Sequence, residues 1–174
     1  GVIDTPEVNA FAAPGGYVLI TRGLYELLST DSELAAALAH EISHCVQRDH
    51  YNVIHKQEMA DTAKERALSQ VTTGNDTTAG RYARRYAEKN GAAIMLTSLD
   101  REAAYRSDQA AEFYLARAGM NPLTLYAGLQ KLTALGSESA SLAQLYKTHP
   151  PLDARLDRID QRGYGALEAF TARE

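Results

Sequence analysis

The chain has 174 residues, 45% of them hydrophobic and 23% charged, and a formal net charge of −4. That length suits one domain with a sizeable core. The mildly acidic balance excludes an electrostatic footprint for nucleic acid, and the basic cluster Arg81, Arg84, Arg85 reads as a solvated helix face. No run reaches the roughly 18 apolar residues of a membrane span, and the single cysteine, Cys45, forbids an intrachain disulfide.

Val8–Ala13 and Tyr17–Thr21 read as the strands of a β-hairpin that turns at Pro14-Gly15-Gly16. A short helix is expected at Leu24–Leu28. Thr30-Asp31-Ser32-Glu33 forms a capping box. It opens a helix predicted to run from Asp31 to about His55, with Leu34, Leu38, Ile42 and Cys45 as its apolar stripe and Ala35, Ala36, Ala37 and Ala39 over much of the rest. Helical character continues to about Ser69, breaks at the polar stretch Val71–Gly80, and resumes at about Arg81. A further helix covers roughly Ser98–Ala118 and stops at Gly119; Asn121-Pro122 starts another, which Gly136 ends. Ser141–Lys147 is a short helix and His149-Pro150-Pro151 a stiff extended connection. Pro151 opens the last helix, with Leu152, Leu156 and Ile159 on one face before Gly163. The expected fold class is mainly α (α+β), helical with a small N-terminal β-hairpin.

The chemistry concentrates in His40-Glu41-Ile42-Ser43-His44. On a helix, residues four apart share a face, so the two imidazoles can converge on one metal ion. Glu41, about 100° round, can reach a water bound to that metal without ligating it. Two His ligands, one carboxylate base and one activated water make the zinc-hydrolase arrangement. A pair of core histidines satisfied by ordinary hydrogen bonds is the lesser alternative. The helix is apolar or small almost all round and is therefore expected to be buried, where two His and a Glu need partners. Cys45 is expected to pack in the core. His50 lies ten residues after His40, the metzincin spacing, but Gln47 stands where that motif needs a glycine. A continuing helix would carry His50 about 15 Å along the axis, out of reach. His50 and His55 therefore read as polar positions near the helix end, where positive charge suits the dipole.

Several co-linear segments add to the pentad: Asn9-Ala10-Phe11-Ala12-Ala13-Pro14-Gly15-Gly16, Thr21-Arg22-Gly23-Leu24, Tyr105-Arg106-Ser107-Asp108-Gln109-Ala110-Ala111, Leu115-Ala116-Arg117-Ala118-Gly119-Met120-Asn121-Pro122 and His149-Pro150-Pro151. Together they resemble the zinc metallopeptidase family of HtpX and the CAAX prenyl proteases, in particular its soluble bacterial, BepA-like branch, over about residues 8–160. The resemblance implies a gluzincin-like fold with one Zn2+ per chain. Residues 1–174 are then a single metallopeptidase catalytic domain, and a start at Gly1 inside a fold already under way makes it a fragment of a longer precursor. The resemblance implies His40 and His44 as zinc ligands and a third ligand, a glutamate, four residues before Asp108. Ala104 stands there, with no ligating atom. Glu102 cannot substitute, because two helical positions are about 200° of rotation. Either this is an engineered inactive variant or the metal is held by two histidines plus something else. The intact remainder of the site favours the first, with zinc affinity weakened.

By the same resemblance Asp108 accepts a hydrogen bond from a ligand imidazole and fixes its tautomer. Glu41 acts as general base. His149, in its stiff loop, can donate to an oxyanion or ligate the zinc and block the site; as a plain loop histidine it would cap the last helix. The strand carrying Asn9, Ala10, Phe11 and Ala12, if it is a sheet edge, can pair with an extended peptide through main-chain hydrogen bonds. The expected function is a zinc-dependent endopeptidase that cleaves unfolded or misassembled proteins in quality control of the bacterial cell envelope, in the periplasm, inactivated here by Ala104. Peripheral membrane association is left open. The rival is a non-catalytic pseudo-protease or chaperone-like module that binds extended polypeptide.

Overall fold

A computed structural model describes residues 1–13, 15–56, 59–60 and 99–162. The turn at Pro14, the helical stretch to Ser69, the break at Val71–Gly80, the helix resuming at Arg81 and the stop at Gly163 lie outside them.

The described residues are mainly helical, with one three-stranded sheet. Strands β1 (Val2–Ile3), β2 (Ala10–Ala13) and β3 (Tyr17–Thr21) lie in the order β1-β3-β2. The hairpin pairs β2 and β3 antiparallel, with Phe11 opposite Leu19. Strand β1, which the sequence did not suggest, adds in parallel to β3. β2 is thus at an edge of the sheet. Val8 N–H donates to Ser141 O at 2.8 Å, and Thr21 N–H donates across the hairpin to Asn9 O at 3.0 Å. Main-chain directions alternate along a strand, so Ala10 and Ala12 turn N–H and C=O toward the side of β2 that no described strand pairs with, as Val8 does.

Thr21 joins the hairpin to helix α1 (Arg22–Leu27). Its buried hydroxyl accepts from Leu24 N–H as an N-cap and from Asn9 N–H, and donates to Asn9 O. Gly23 is required there: a Cβ would run into the carbonyls of Pro6 and Glu7. These contacts fix the backbone of Asn9.

Helix α2 (Asp31–Gln47) opens on Thr30, whose hydroxyl accepts from Glu33 N–H, while the Glu33 carboxylate takes Ser29 N–H at 2.6 Å. It ends earlier than its sequence indicates. Arg48 adopts a left-handed conformation (φ 56°) and a second helix, α3 (residues 49–56), leaves in a new direction. The buried face of α2 also differs from the expected stripe. Ala36, Ala39, His40, Ser43 and His44 are buried, Cys45 is half-buried, and Ile42 is exposed. The inward side is set by helix α4 (Arg101–Arg117), which among the described elements packs most extensively on α2. It presents Ala103, Ala104, Ser107, Asp108 and Ala111, small or polar residues that match small residues on α2. Gly119, at φ 75°, terminates α4, with Met120 N–H closing on Leu115 O.

Helix α5 (Thr124–Thr133) starts two residues after Pro122, and α6 (Leu145–Thr148) follows a 3-10 turn at Ala140–Leu142. Helix α7 (Leu152–Arg162) lays Leu152, Arg155 and Ile159 inward. The apolar core, with Leu24, Leu115, Leu125, Leu129, Leu142 and Leu152 among its members, lies between the sheet, α2, α5 and α7. No described helix is long and apolar enough to cross a membrane.

Candidate metal centre

One turn of α2 separates His40 from His44, and their rings meet edge to face with centroids 4.8 Å apart. His40 Nδ1 lies 2.8 Å from Asp108 Oδ1, and His44 Nδ1 lies 2.8 Å from Asp49 Oδ2, with the Ser107 hydroxyl also 3.1 Å away. An imidazole nitrogen against a carboxylate carries the proton, so both Nδ1 atoms donate and both Nε2 atoms keep a bare lone pair. Arg155 Nη2 also lies 3.3 Å from His40 Nδ1. Arg has no lone pair to offer and the Asp108 contact is shorter, so this proximity does not alter the tautomer.

The two Nε2 atoms are 3.2 Å apart. With both bare, two lone pairs face each other and repel unless a cation lies between their directions. Two nitrogens on a tetrahedral zinc, each at about 2.0–2.1 Å, stand about 3.3–3.4 Å apart. The separation and the tautomers together fit a zinc-like ion. A third nitrogen is available: ligating atoms of His40, His44 and His149 all lie within 4.8 Å of one another, and all three side chains are buried.

His149 caps α6 and is held by Thr148, whose Oγ1 is 2.9 Å from His149 Nδ1. His149 Nε2 lies 3.5 Å from Glu41 Oε1. The Thr148 hydroxyl can serve either tautomer. It accepts from Nδ1–H, leaving Nε2 free to ligate, or donates to Nδ1, leaving Nε2–H to meet Glu41.

Burial would raise Glu41, but His149, His40 and His44 more than offset it and bring the carboxyl down to about 2, so it is a carboxylate. Burial, aided by the Arg155 charge, pulls His40 to about 4 against Asp108. It is neutral at pH 7, the state a metal ligand requires. Asp108 is held well below the ordinary carboxylate range: Arg155 and His40 outweigh its burial. Arg155 grips it at two points, Nη2–Oδ1 2.6 Å and Nε–Oδ2 3.0 Å.

Ala104 is 1% exposed, one turn before Asp108 on the same inner face of α4, and places a methyl where the sequence resemblance leads one to expect a ligating glutamate. Asn9 is fully buried, and neither end of its amide has a hydrogen-bond partner among the described residues. Ala10, Phe11 and Ala12 follow it on the edge strand.

Three groups of this site escaped the sequence. Asp49 follows the left-handed Arg48 and turns back onto His44. His50 turns back with it: it is buried, with its ring 6.4 Å from that of His44, not a helix length away. Arg155 arrives from α7. A charged residue between Leu152 and Ile159 on the buried face of that helix was the available signal.

The chain matches peptidase family M48 over residues 1–163. It is 28% identical to the beta-barrel assembly-enhancing protease of Yersinia pestis over 162 residues, which is 92% of this chain and 33% of that protein. It is 30% identical to a protease HtpX homolog of Desulfatibacillum aliphaticivorans, over 91% of this chain and 61% of that one. A shorter stretch of 47 residues is 38% identical to mitochondrial metalloendopeptidase OMA1 of Arabidopsis thaliana, 27% of this chain and 10% of that protein. The chain spans about a third of the length of the assembly-enhancing proteases it matches.

Proposed function

The chain belongs to peptidase family M48, and from that premise we propose that it is a zinc-dependent endopeptidase domain whose metal is held by His40, His44 and His149. The observation that carries the reading is the pair of bare Nε2 atoms 3.2 Å apart, each imidazole steered by a carboxylate on its far side. Zinc, when bound, supplies an activated water and polarises the scissile carbonyl. Glu41, already ionised and buried beside the histidines, takes the water's proton and passes it to the leaving amine. The edge of β2 at Ala10 and Ala12 offers main-chain partners to an extended chain. Such pairing is nearly blind to sequence. It suits unfolded or misassembled polypeptide of the bacterial cell envelope, in keeping with relatives named as assembly-enhancing proteases.

Ala104 sets the terms. With no carboxylate there, the third ligand falls to His149, the position otherwise free to assist the reaction, so this chain turns over little as it stands. Ala104 also supports a second reading, a pseudo-protease that holds extended polypeptide without cutting it. One experiment addresses both: zinc content and casein cleavage for the chain bearing Ala104, Ala104→Glu, Ala104→Glu/Glu41→Gln and His149→Ala. The protease reading expects Ala104→Glu to retain zinc and cleave casein, Glu41→Gln to abolish that cleavage, and His149→Ala to strip zinc from the chain bearing Ala104. Full zinc occupancy in Ala104→Glu with intact casein supports the binder.

A further inference from the structure

Beside the histidines lies an apolar cavity of about 60 Å³. It follows one face of α2 from Glu33 to Glu41, a length of about 12 Å at 1.5 Å per residue. Leu24, Leu28, Leu125, Leu129, Leu132 and Leu145 contribute apolar wall, and His40, Glu41, His149 and Arg155 also line it. Two features separate it from an ordinary packing defect. Asn9 lines it with a fully buried side-chain amide whose Nδ2 and Oδ1 both lack partners among the described residues. An orphaned amide inside an apolar wall is unfavourable unless a ligand or a water satisfies it. The other feature is Gly128, in the interior of α5, where glycine is the poorest helix former after proline. It lines the same cavity, and a Cβ built on it meets nothing within 4 Å.

We propose that Gly128 is a specificity-determining residue: by leaving α5 without a side chain it keeps open a pocket for one leucine-sized aliphatic side chain of the bound polypeptide, whose adjoining peptide group is held by the Asn9 amide. The inference rests on the reading of the site as one that holds polypeptide. The occupant is set by size and chemistry. At roughly 10–15 Å³ for each water-sized group, the cavity takes about four to six heavy atoms. The leucine side chain has four, alanine one and phenylalanine seven. The leucine side chains in its wall offer dispersion contacts and no hydrogen-bond partner. Asn9 carries one donor group and one acceptor, the complement of the C=O and N–H of a peptide unit.

The test is a binding series that needs no turnover. The Glu41→Gln protein is titrated with acetyl-Gly-Xaa-Gly-amide peptides, Xaa being Ala, Val, Leu or Phe, and dissociation constants are read by NMR. Leu should bind roughly tenfold or more tighter than Ala, with Phe weaker than Leu. Adding Gly128→Leu should flatten the series, because the new side chain occupies the space. Gly128→Ala should narrow it partly, and both variants should melt no lower than their parent. Asn9→Ala should weaken every peptide by a similar factor. A flat series in the parent, or a graded one that survives Gly128→Leu, overturns the proposal. Failure of the protease reading looks different: a graded series that collapses with Gly128→Leu, alongside casein left intact by zinc-loaded Ala104→Glu, leaves the pocket standing. Cleavage without any gradient does the reverse.

Discussion

Replacing Asp108 by Asn exchanges one oxygen for an NH2 group and removes one charge at a point where three donors converge. Asp108 Oδ1 receives Arg155 Nη2 at 2.6 Å and His40 Nδ1 at 2.8 Å, and Oδ2 receives Arg155 Nε at 3.0 Å. In Asn the remaining oxygen can serve one side of this fork, and the amide NH2 then faces another donor. Arg155, 4% exposed, becomes a buried cation without a counter-charge. Breaking a buried pair in this way costs about 3–5 kcal/mol. For a domain of this size each kcal/mol moves the midpoint by about 2–4 °C, so a loss of about 6–20 °C is expected in a thermal melt monitored by circular dichroism. Zinc affinity should fall about 10–100-fold, because the carboxylate that orients His40 is lost. The double variant Asp108→Asn/Arg155→Met removes the stranded cation and should recover part of the stability but none of the zinc affinity. If Asp108→Asn melts within 2 °C of the parent, or the double variant melts below the single one, the Arg155–Asp108–His40 chain does not support the metal centre.

Three further outcomes are expected. The metal-free protein should lose stability as pH falls from about 6.5. His40 is depressed to about 4, and His50 and His149 are also lowered, so the unfolded chain binds protons the folded one refuses. His40 alone accounts for about 3 kcal/mol by pH 4, and urea midpoints that stay flat from pH 7 to 4.5 would contradict this. Glu112 has the opposite sign: burial pushes it up to about 7 against Arg162, and its Oε1 has no hydrogen-bond partner among the described residues. Its contribution is present below the unfolded value of about 4.3 and is lost as pH rises through 7, so Glu112→Gln should stabilise by on the order of 1–2 kcal/mol at pH 8 and hardly at pH 5 in urea titrations. Arg48→Gly relieves a left-handed non-glycine residue whose backbone alone makes the turn, and should stabilise by about 1 kcal/mol, seen as a melt 2–4 °C higher.

Local physics alone carries far in this chain. The 3.6-residue period places His40 and His44 on one face, Thr30 and Glu33 start the helix beneath them, and Gly119 stops α4, because caps and periods act over a few neighbouring residues. The mainly helical class with a small sheet was legible for the same reason, and the co-linear motifs were enough to suggest the family. Tertiary structure decided what local rules cannot express. Hydrophobic periodicity puts Leu34, Leu38, Ile42 and Cys45 on the inward face of α2, yet the more apolar Ile42 is exposed while Ala36, Ala39 and Ser43 are buried. Burial belongs to the side a neighbour covers, and α4 covers it with alanines and an aspartate. The turn at Arg48 carries no glycine to announce it, so the return of Asp49 and His50 toward His44 was invisible. Arg155 stands 115 residues from His40, and only the docking of α7 brings its charge to Asp108. Pairings of that kind are made by packing across the whole chain, and no window of sequence contains both partners.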